Sequence, residues 1–569
     1  MSFDLAIKGA LVYDGSGADA KQQDVYIKDG RIAELVRAGQ VPERGAARQS
    51  INADGLALMP GIVDLHTHYD AQITWDNTCS PSPALGVTTA IIGNCGFGIA
   101  PCPPAQRETM MKNLSVVEGM DLNALLTGTQ WQFETFAEYM DFLRARNPFV
   151  NVGVFAGHSV IRTAVMGEAA SHRQPTANEL SAMLDQVRAA MDAGAIGFAS
   201  SFSPNHSGYG GIPMPSTIAG DDELAALVGV LGEKKCGVFM SATGPRATPE
   251  YMERLAELTG RPMFISTVLT MYNQASPESG LALYDRCSQA QARGHEVYIQ
   301  TSCQPLAFEF TLTSPYTLFS HSAFDAVKAS NGDLPRLLTV YADPAMRQQF
   351  RDNLKNPVVG ILFYGDWNQI EVRPALEANL HLNERTVADI AREQGLDPLD
   401  WFFDFALSEG LATVYVGKFY QNLDAGVAPL LKHPAGVIAL SDAGAHLTYM
   451  CDAGFGVHLL SHWVRENGVF SLGEAVRRLT SHPADLYRIA ERGRLKAGYW
   501  ADLLLFDPAT IALSKLSTKH DLPGGGKRMT RSASGIHGVW VNGQMTYDGQ
   551  KYLNVGVNGP GQVLDRFSA

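Results

Sequence analysis

From Ile62 onward one pattern of apolar and polar positions recurs along the chain. A short, almost unbroken apolar run is followed by a polar or Gly-rich loop and then by apolar residues at helical spacing. The runs cover 62–68, 87–95, 150–158, 195–203, 236–244, 261–270, 295–303 and 436–444. Before the fourth run, Leu180, Met183, Leu184, Val187 and Met191 fall on one helical face. Thr176 and Glu179 give that helix a capping-box start, and Gly194 ends it. Segments 221–235 and 248–260 repeat the arrangement before the fifth and sixth runs. Continuously apolar strands alternating with amphipathic helices predict a parallel sheet covered on both faces. Eight of them fit a closed (β/α)8 TIM barrel, an α/β fold, better than an open sheet.

Two regions break the pattern. About 125 residues separate Cys303 from the approach to the eighth run, against a usual connection of about 4–6 residues. That stretch carries helical patterns of its own, such as Arg385 to Gly410, and so predicts an inserted subdomain at about 304–430. The chain ends resemble each other: Asp4 to Gly17 and Gly538 to Gln550 are β-rich runs that close on Tyr-Asp-Gly. The expectation is one small β-sandwich assembled from residues 1–58 and 481–569, with the barrel occupying 59–480.

Composition narrows the function. With 45 Lys+Arg against 58 Asp+Glu, the 569-residue chain has a formal net charge of −13 and would repel phosphate backbones, so nucleic acid is not an expected partner. No apolar run is long enough to span a bilayer, and no secretory signal is visible at the start. The seven cysteines are odd in number and show no CxxC spacing, which predicts a reduced, cytoplasmic protein. A small-molecule substrate is the expected partner, and a homo-oligomer is compatible with the sequence.

In such a barrel, chemistry gathers at the C-terminal ends of the strands. The first run ends in Asp64-Leu65-His66-Thr67-His68, so Asp64, His66 and His68 share one strand face. The second ends at Asn94-Cys95, the third at His158 with Arg162 one turn on, the fourth leads to His206, and the eighth ends at Asp442 with His446 nearby. A His-x-His pair alone is equally well read as two satisfied polar residues. With Asp442 across the mouth, the pair reads as a metal site, because imidazole and carboxylate suit Zn²⁺ with a position kept for water. Asp442 would take a proton from the metal-activated water and return it to a leaving amine. His158, Arg162, His206 and His446 are candidates for holding substrate, Arg162 through a substrate carboxylate. His458 and His462, four apart on one helix face, lack an HExxH context and predict packing rather than metal binding.

The motifs PGIVDLHTHYD, GVTTAIIGNCG, GHSVIR, ALSDAGAH and GRLKAGYWADLLLFDP together resemble the amidohydrolase superfamily, and within it the D-aminoacylase (N-acyl-D-amino-acid deacylase) family. The resemblance implies a zinc-dependent barrel with a flanking β-sandwich that hydrolyses an N-acyl bond. It implies that Cys95 is a metal ligand and Asp442 the catalytic acid/base. Two departures stand out. Ala242 and Thr267 occupy the fifth- and sixth-strand positions where that family places metal-binding histidines. Three arrangements follow: one zinc held by His66, His68 and Asp442 with Cys95 or solvent; a centre that recruits His206 or His446; or a barrel that binds a ligand without metal. The expectation carried forward is one zinc ion per chain and an amide hydrolase, with lactam, lactone or C–C bond cleavage as alternatives on the same fold.

Overall fold

The eight apolar runs form the strands of one parallel sheet in the order of the chain. They are Ile62–Asp64, Val87–Ile92, Asn151–Gly157, Gly197–Ser201, Val238–Ala242, Met263–Ser266, Val297–Thr301 and Gly436–Ile438. The structure, a computed structural model, describes residues 2–42, 45–204, 206–266, 271–274, 276–356, 362–448, 450–556 and 558–567. All but Tyr298 of the strand residues are fully buried, as expected for strands covered on both faces. The sheet closes through two short continuations: His66–Thr67 pairs with Leu440–Ala443, and Leu65 and His68 donate to Ala439 and Ala443 at 3.1 and 2.7 Å. The first strand therefore hydrogen-bonds the second below Leu65 and the eighth above it. That makes a barrel.

The covering helices begin and end where the sequence places them. Thr176 and Glu179 form the capping box of Ala177–Asp192. Thr248 caps Pro249–Thr259, whose end is turned by Gly260 at φ 65°. Among the described residues, no helix is long and apolar enough to cross a membrane, and none of the seven cysteines forms a disulfide.

Both chain ends enter one eight-stranded sheet. Phe3–Val12, Lys21–Lys28, Arg31–Arg37, Ala47–Asn52 and Ala57–Pro60 come from the start, and Leu503–Phe506, Ile536–Val541 and Gln544–Tyr547 from the finish. Ile7, Val25, Ile27, Leu58, Leu503, Leu505 and Trp540 fill its core. On the N-terminal side a single residue, Gly61, joins this sheet to the barrel. Its amide donates to Asp502 O, and a Cβ there would fall 2.1 Å from the Thr88 side chain.

The insertion is a compact unit of its own, Tyr272–Pro277 with Pro305–Val427. Leu306–Thr311 and Ile370–Arg373 flank Val414–Tyr420 in an antiparallel sheet. Helices Val387–Gln394 and Pro398–Ser408 carry the predicted pattern, and Phe350, Trp367, Phe402, Phe403 and Tyr415 form an aromatic core.

Candidate metal centre

The site begins with the break in the first strand. His66 and His68 lie where the strand leaves its second-strand neighbour and joins the eighth, at the C-terminal mouth of the barrel. Asp64, on the same face, lies deeper. Its Oδ1 accepts the His66 amide at 3.2 Å and its Oδ2 accepts from Ser441 Oγ, so it ties strands one and eight together. Burial pushes Asp64 up to about 8 against these hydrogen bonds.

Cys95 is aimed by a tight turn after the second strand. Gly93 and Gly96 have φ 80° and 78°, and Cβ atoms there would meet Phe155 O at 2.7 Å and Ala199 O at 2.8 Å. Only glycine fits both places. Asp70 accepts the Gly93 amide at 3.1 Å, and the Asn94 side chain donates to Ile91 O and Thr67 O at 2.8 and 3.2 Å. Cys95 itself adopts φ 58°, and Asp442 and His446 both adopt 54°. Left-handed backbone at non-glycine residues clusters at functional sites.

These turns bring four donor atoms together. Cys95 Sγ is 3.5 Å from His66 Nε2. Asp442 Oδ1 lies 3.5 Å from His66 Nε2 and 3.1 Å from His68 Nε2. The ligand atoms of His66, His68 and Cys95 all lie within 4.8 Å of one another, all buried. A tetrahedral zinc with nitrogen, oxygen and sulfur ligands at ordinary bond lengths needs ligand–ligand separations of about 3.3–3.6 Å. The set fits such an ion in donor chemistry, and the Cys95–His66, Asp442–His66 and Asp442–His68 separations of 3.5, 3.5 and 3.1 Å lie in or near that range. Burial holds His66 neutral, down to about 4, and pushes the Cys95 thiol up to about 12. A divalent cation favours the thiolate that burial opposes. Burial also opposes charge on Asp442, but the hydrogen bond and charge of His68 and the neighbouring His66 and His446 outweigh it and keep the carboxyl below the usual carboxylate range.

Each histidine is gripped through its other nitrogen. His66 Nδ1 is 3.0 Å from both Gln300 Oε1 and Ser266 Oγ, and Gln300 donates to Tyr487 OH at 2.7 Å. His68 Nδ1 is 3.2 Å from Glu118 Oε1. Glu118, Gln300, Ser266 and Tyr487 carry no motif in the sequence. Only the closing of the barrel brings them to the histidines.

The remaining candidates divide. His446 Nε2 lies 3.5 Å from Asp442 Oδ2, on the rim. His206 stands edge-on to Phe97 at 5.1 Å and bonds Ser201 Oγ at 2.7 Å, and burial holds it neutral, down to about 3. His158 and Arg162 are placed differently from the expectation of substrate contact. Both are fully buried on helix His158–Met166 and both bond Glu223. Arg162 also donates to Ala170 O and Arg173 O, so its donors are committed inside the protein. Ala242 ends the fifth strand, buried and without a donor atom, and Thr267 lies outside the described residues. His462 bonds Glu466 and stacks on His458, while Trp463 anchors that segment by donating to Cys303 O at 2.7 Å.

The Amidohydrolase family profile matches residues 49–547. D-aminoacylase from Alcaligenes xylosoxydans xylosoxydans is 27% identical over 100% of this chain and 98% of its own length. The N-acyl-D-aspartate deacylase of the same organism is 27% identical over 99% and 95%. Among solved structures, N-acyl-D-glutamate deacylase from Bordetella bronchiseptica superposes with a TM-score of 0.66 at 25% identity, covering both chains fully. That protein was crystallised with zinc and a phosphonate inhibitor that mimics the tetrahedral intermediate of its reaction. The chain described here belongs to the amidohydrolase family.

Proposed function

We propose that this protein is a zinc-dependent hydrolase that cleaves the amide bond of N-acyl amino acids, with D-amino acid derivatives as the substrate class suggested by its relatives. The observation that carries the reading is the proximity of the buried ligand atoms of His66, His68 and Cys95, all within 4.8 Å of one another, with Asp442 Oδ1 3.5 and 3.1 Å from the Nε2 atoms of His66 and His68. These four residues would hold a single ion. When bound, zinc polarises a carbonyl and makes water a nucleophile near neutral pH. Asp442, kept ionised by its imidazole neighbours, accepts the proton of the attacking water and passes it to the departing nitrogen. Its Oδ2, facing His446 on the rim, is the oxygen turned towards an incoming substrate. His446 and His206, both held neutral, line the approach and offer hydrogen bonds without adding charge. His158 and Arg162 have no part in this scheme.

The test is hydrolysis of a panel of N-acyl-D- and N-acyl-L-amino acids by the zinc-loaded protein and by Asp442→Asn. The wild type is expected to turn over at least one D-series amide, and the variant to lose about 10²–10⁴-fold in kcat, the usual contribution of a positioned acid/base. Turnover by the variant equal to wild type contradicts the role of Asp442. Bound zinc with no amide cleaved would move the substrate to a lactam, a lactone or a C–C bond.

A further inference from the structure

Glu118 lies outside every motif of the family resemblance, yet its side chain is only 4% exposed and its Oε1 is 3.2 Å from His68 Nδ1. Burying a carboxylate is costly without such a partner. Its backbone is fixed from two sides. The Glu118 amide donates to Leu114 O, ending helix Arg107–Val117 after the second strand. The Glu118 carbonyl accepts the amide of His446, and Thr448 Oγ1 donates to Gly119 O at 3.1 Å. The segment that carries Glu118 is thus bound to the loop that carries Asp442 and His446.

We propose that Glu118 is a positioning residue of the metal centre. Its carboxylate locks the His68 ring so that Nδ1 carries the proton and Nε2 points at the ion. This inference rests on the reading that His66, His68, Cys95 and Asp442 hold zinc. The two imidazoles are held unequally. His66 faces neutral partners, Gln300 and Ser266, contributed by the seventh and sixth strands. His68 faces a carboxylate supplied by a loop. A carboxylate behind a ligating imidazole fixes its tautomer and raises its basicity, and losing one weakens metal binding by about 10–100-fold. With Ala242 offering no ligand from the fifth strand, the affinity of the centre leans on the first-strand pair, so the grip on His68 carries more weight.

The experiment is zinc affinity by chelator competition on the full-length apo protein, for wild type, Glu118→Gln and His68→Ala, with the thermal midpoint of each apo protein measured alongside. Glu118→Gln keeps the shape and removes the charge. The expected result is zinc binding about tenfold weaker or more, with an apo midpoint close to wild type. Wild-type affinity in Glu118→Gln, whatever its midpoint, overturns the proposal and leaves Glu118 a packing residue. The control separates the two claims. If His68→Ala loses zinc while Glu118→Gln does not, only the role of Glu118 fails. Wild-type affinity in His68→Ala removes the metal centre itself and this inference with it.

Discussion

Arg162 and His66 look alike on paper: each is a polar residue beside a strand end, and each is fully buried. What separates them is where their polar atoms go. His66 keeps Nε2 for the site, whereas Arg162 spends its guanidinium on Glu223 and two carbonyls. Removing one partner of a buried, hydrogen-bonded ion pair leaves a charge without compensation, at about 3–5 kcal/mol. Arg162→Met is therefore expected to lower unfolding stability in urea by several kcal/mol while leaving KM near wild type in the folded fraction. A KM raised tenfold or more at unchanged stability would return Arg162 to the substrate. The proposed ligands His66, His68, Cys95 and Asp442 stand out in the sequence because each lies at the end of an apolar run. Glu223 was not visible as the partner of Arg162, since they are 61 positions apart with helix Ala177–Asp192 and the fourth strand between them. Glu118 was hidden for the same reason: nothing local marks a residue whose partner is made by folding.

At the scale of elements, the strands and their caps were readable because burial on both faces and Ser/Thr-to-Gly punctuation leave direct marks. The break of the first strand at Leu65 was not, because a change of hydrogen-bonding neighbour depends on the register of the second and eighth strands. The turn that presents Cys95 shows how tightly an element end can be specified. Gly96→Ala would force a left-handed backbone, at about 1–2 kcal/mol for a Cβ-bearing residue, and push against Ala199 O. The expected outcome is a lower thermal midpoint together with reduced zinc stoichiometry, measured on one sample. A loss of stability with full zinc occupancy would show that the turn does not aim the thiol. The glycine-rich 207–213 loop is tethered: Gly208 donates to Ile212 O, and Tyr209 donates to Asn113 Oδ1 at 3.0 Å. Composition alone cannot see such tethers.

Across the molecule, the barrel is fastened to the sheet built from both termini by a buried polar cluster. Asp502 pairs with Arg492 and accepts from Asn151 at 3.0 Å and from the Asn542 amide at 2.8 Å. The proposed site links the same body internally, since its four candidate ligands come from the first, second and eighth strand ends. An ion bound there stabilises the closed barrel as a whole. Free zinc at 100 times its Kd is expected to add about 2.7 kcal/mol to the unfolding free energy, and chelation to remove it. Cys95→Ser and Asp442→Asn should show smaller gains at the same zinc concentration, and an equal gain in both would place the ion elsewhere. The central claim is a mononuclear centre on His66, His68, Cys95 and Asp442, with nothing to coordinate at Ala242. The measurement that tests it most directly is an anomalous difference map at the zinc edge from crystals of the zinc-loaded protein. One peak within bonding distance of the two Nε2 atoms, Cys95 Sγ and an Asp442 oxygen is the predicted result. No peak there, or a second ion beside Ala242, would contradict it.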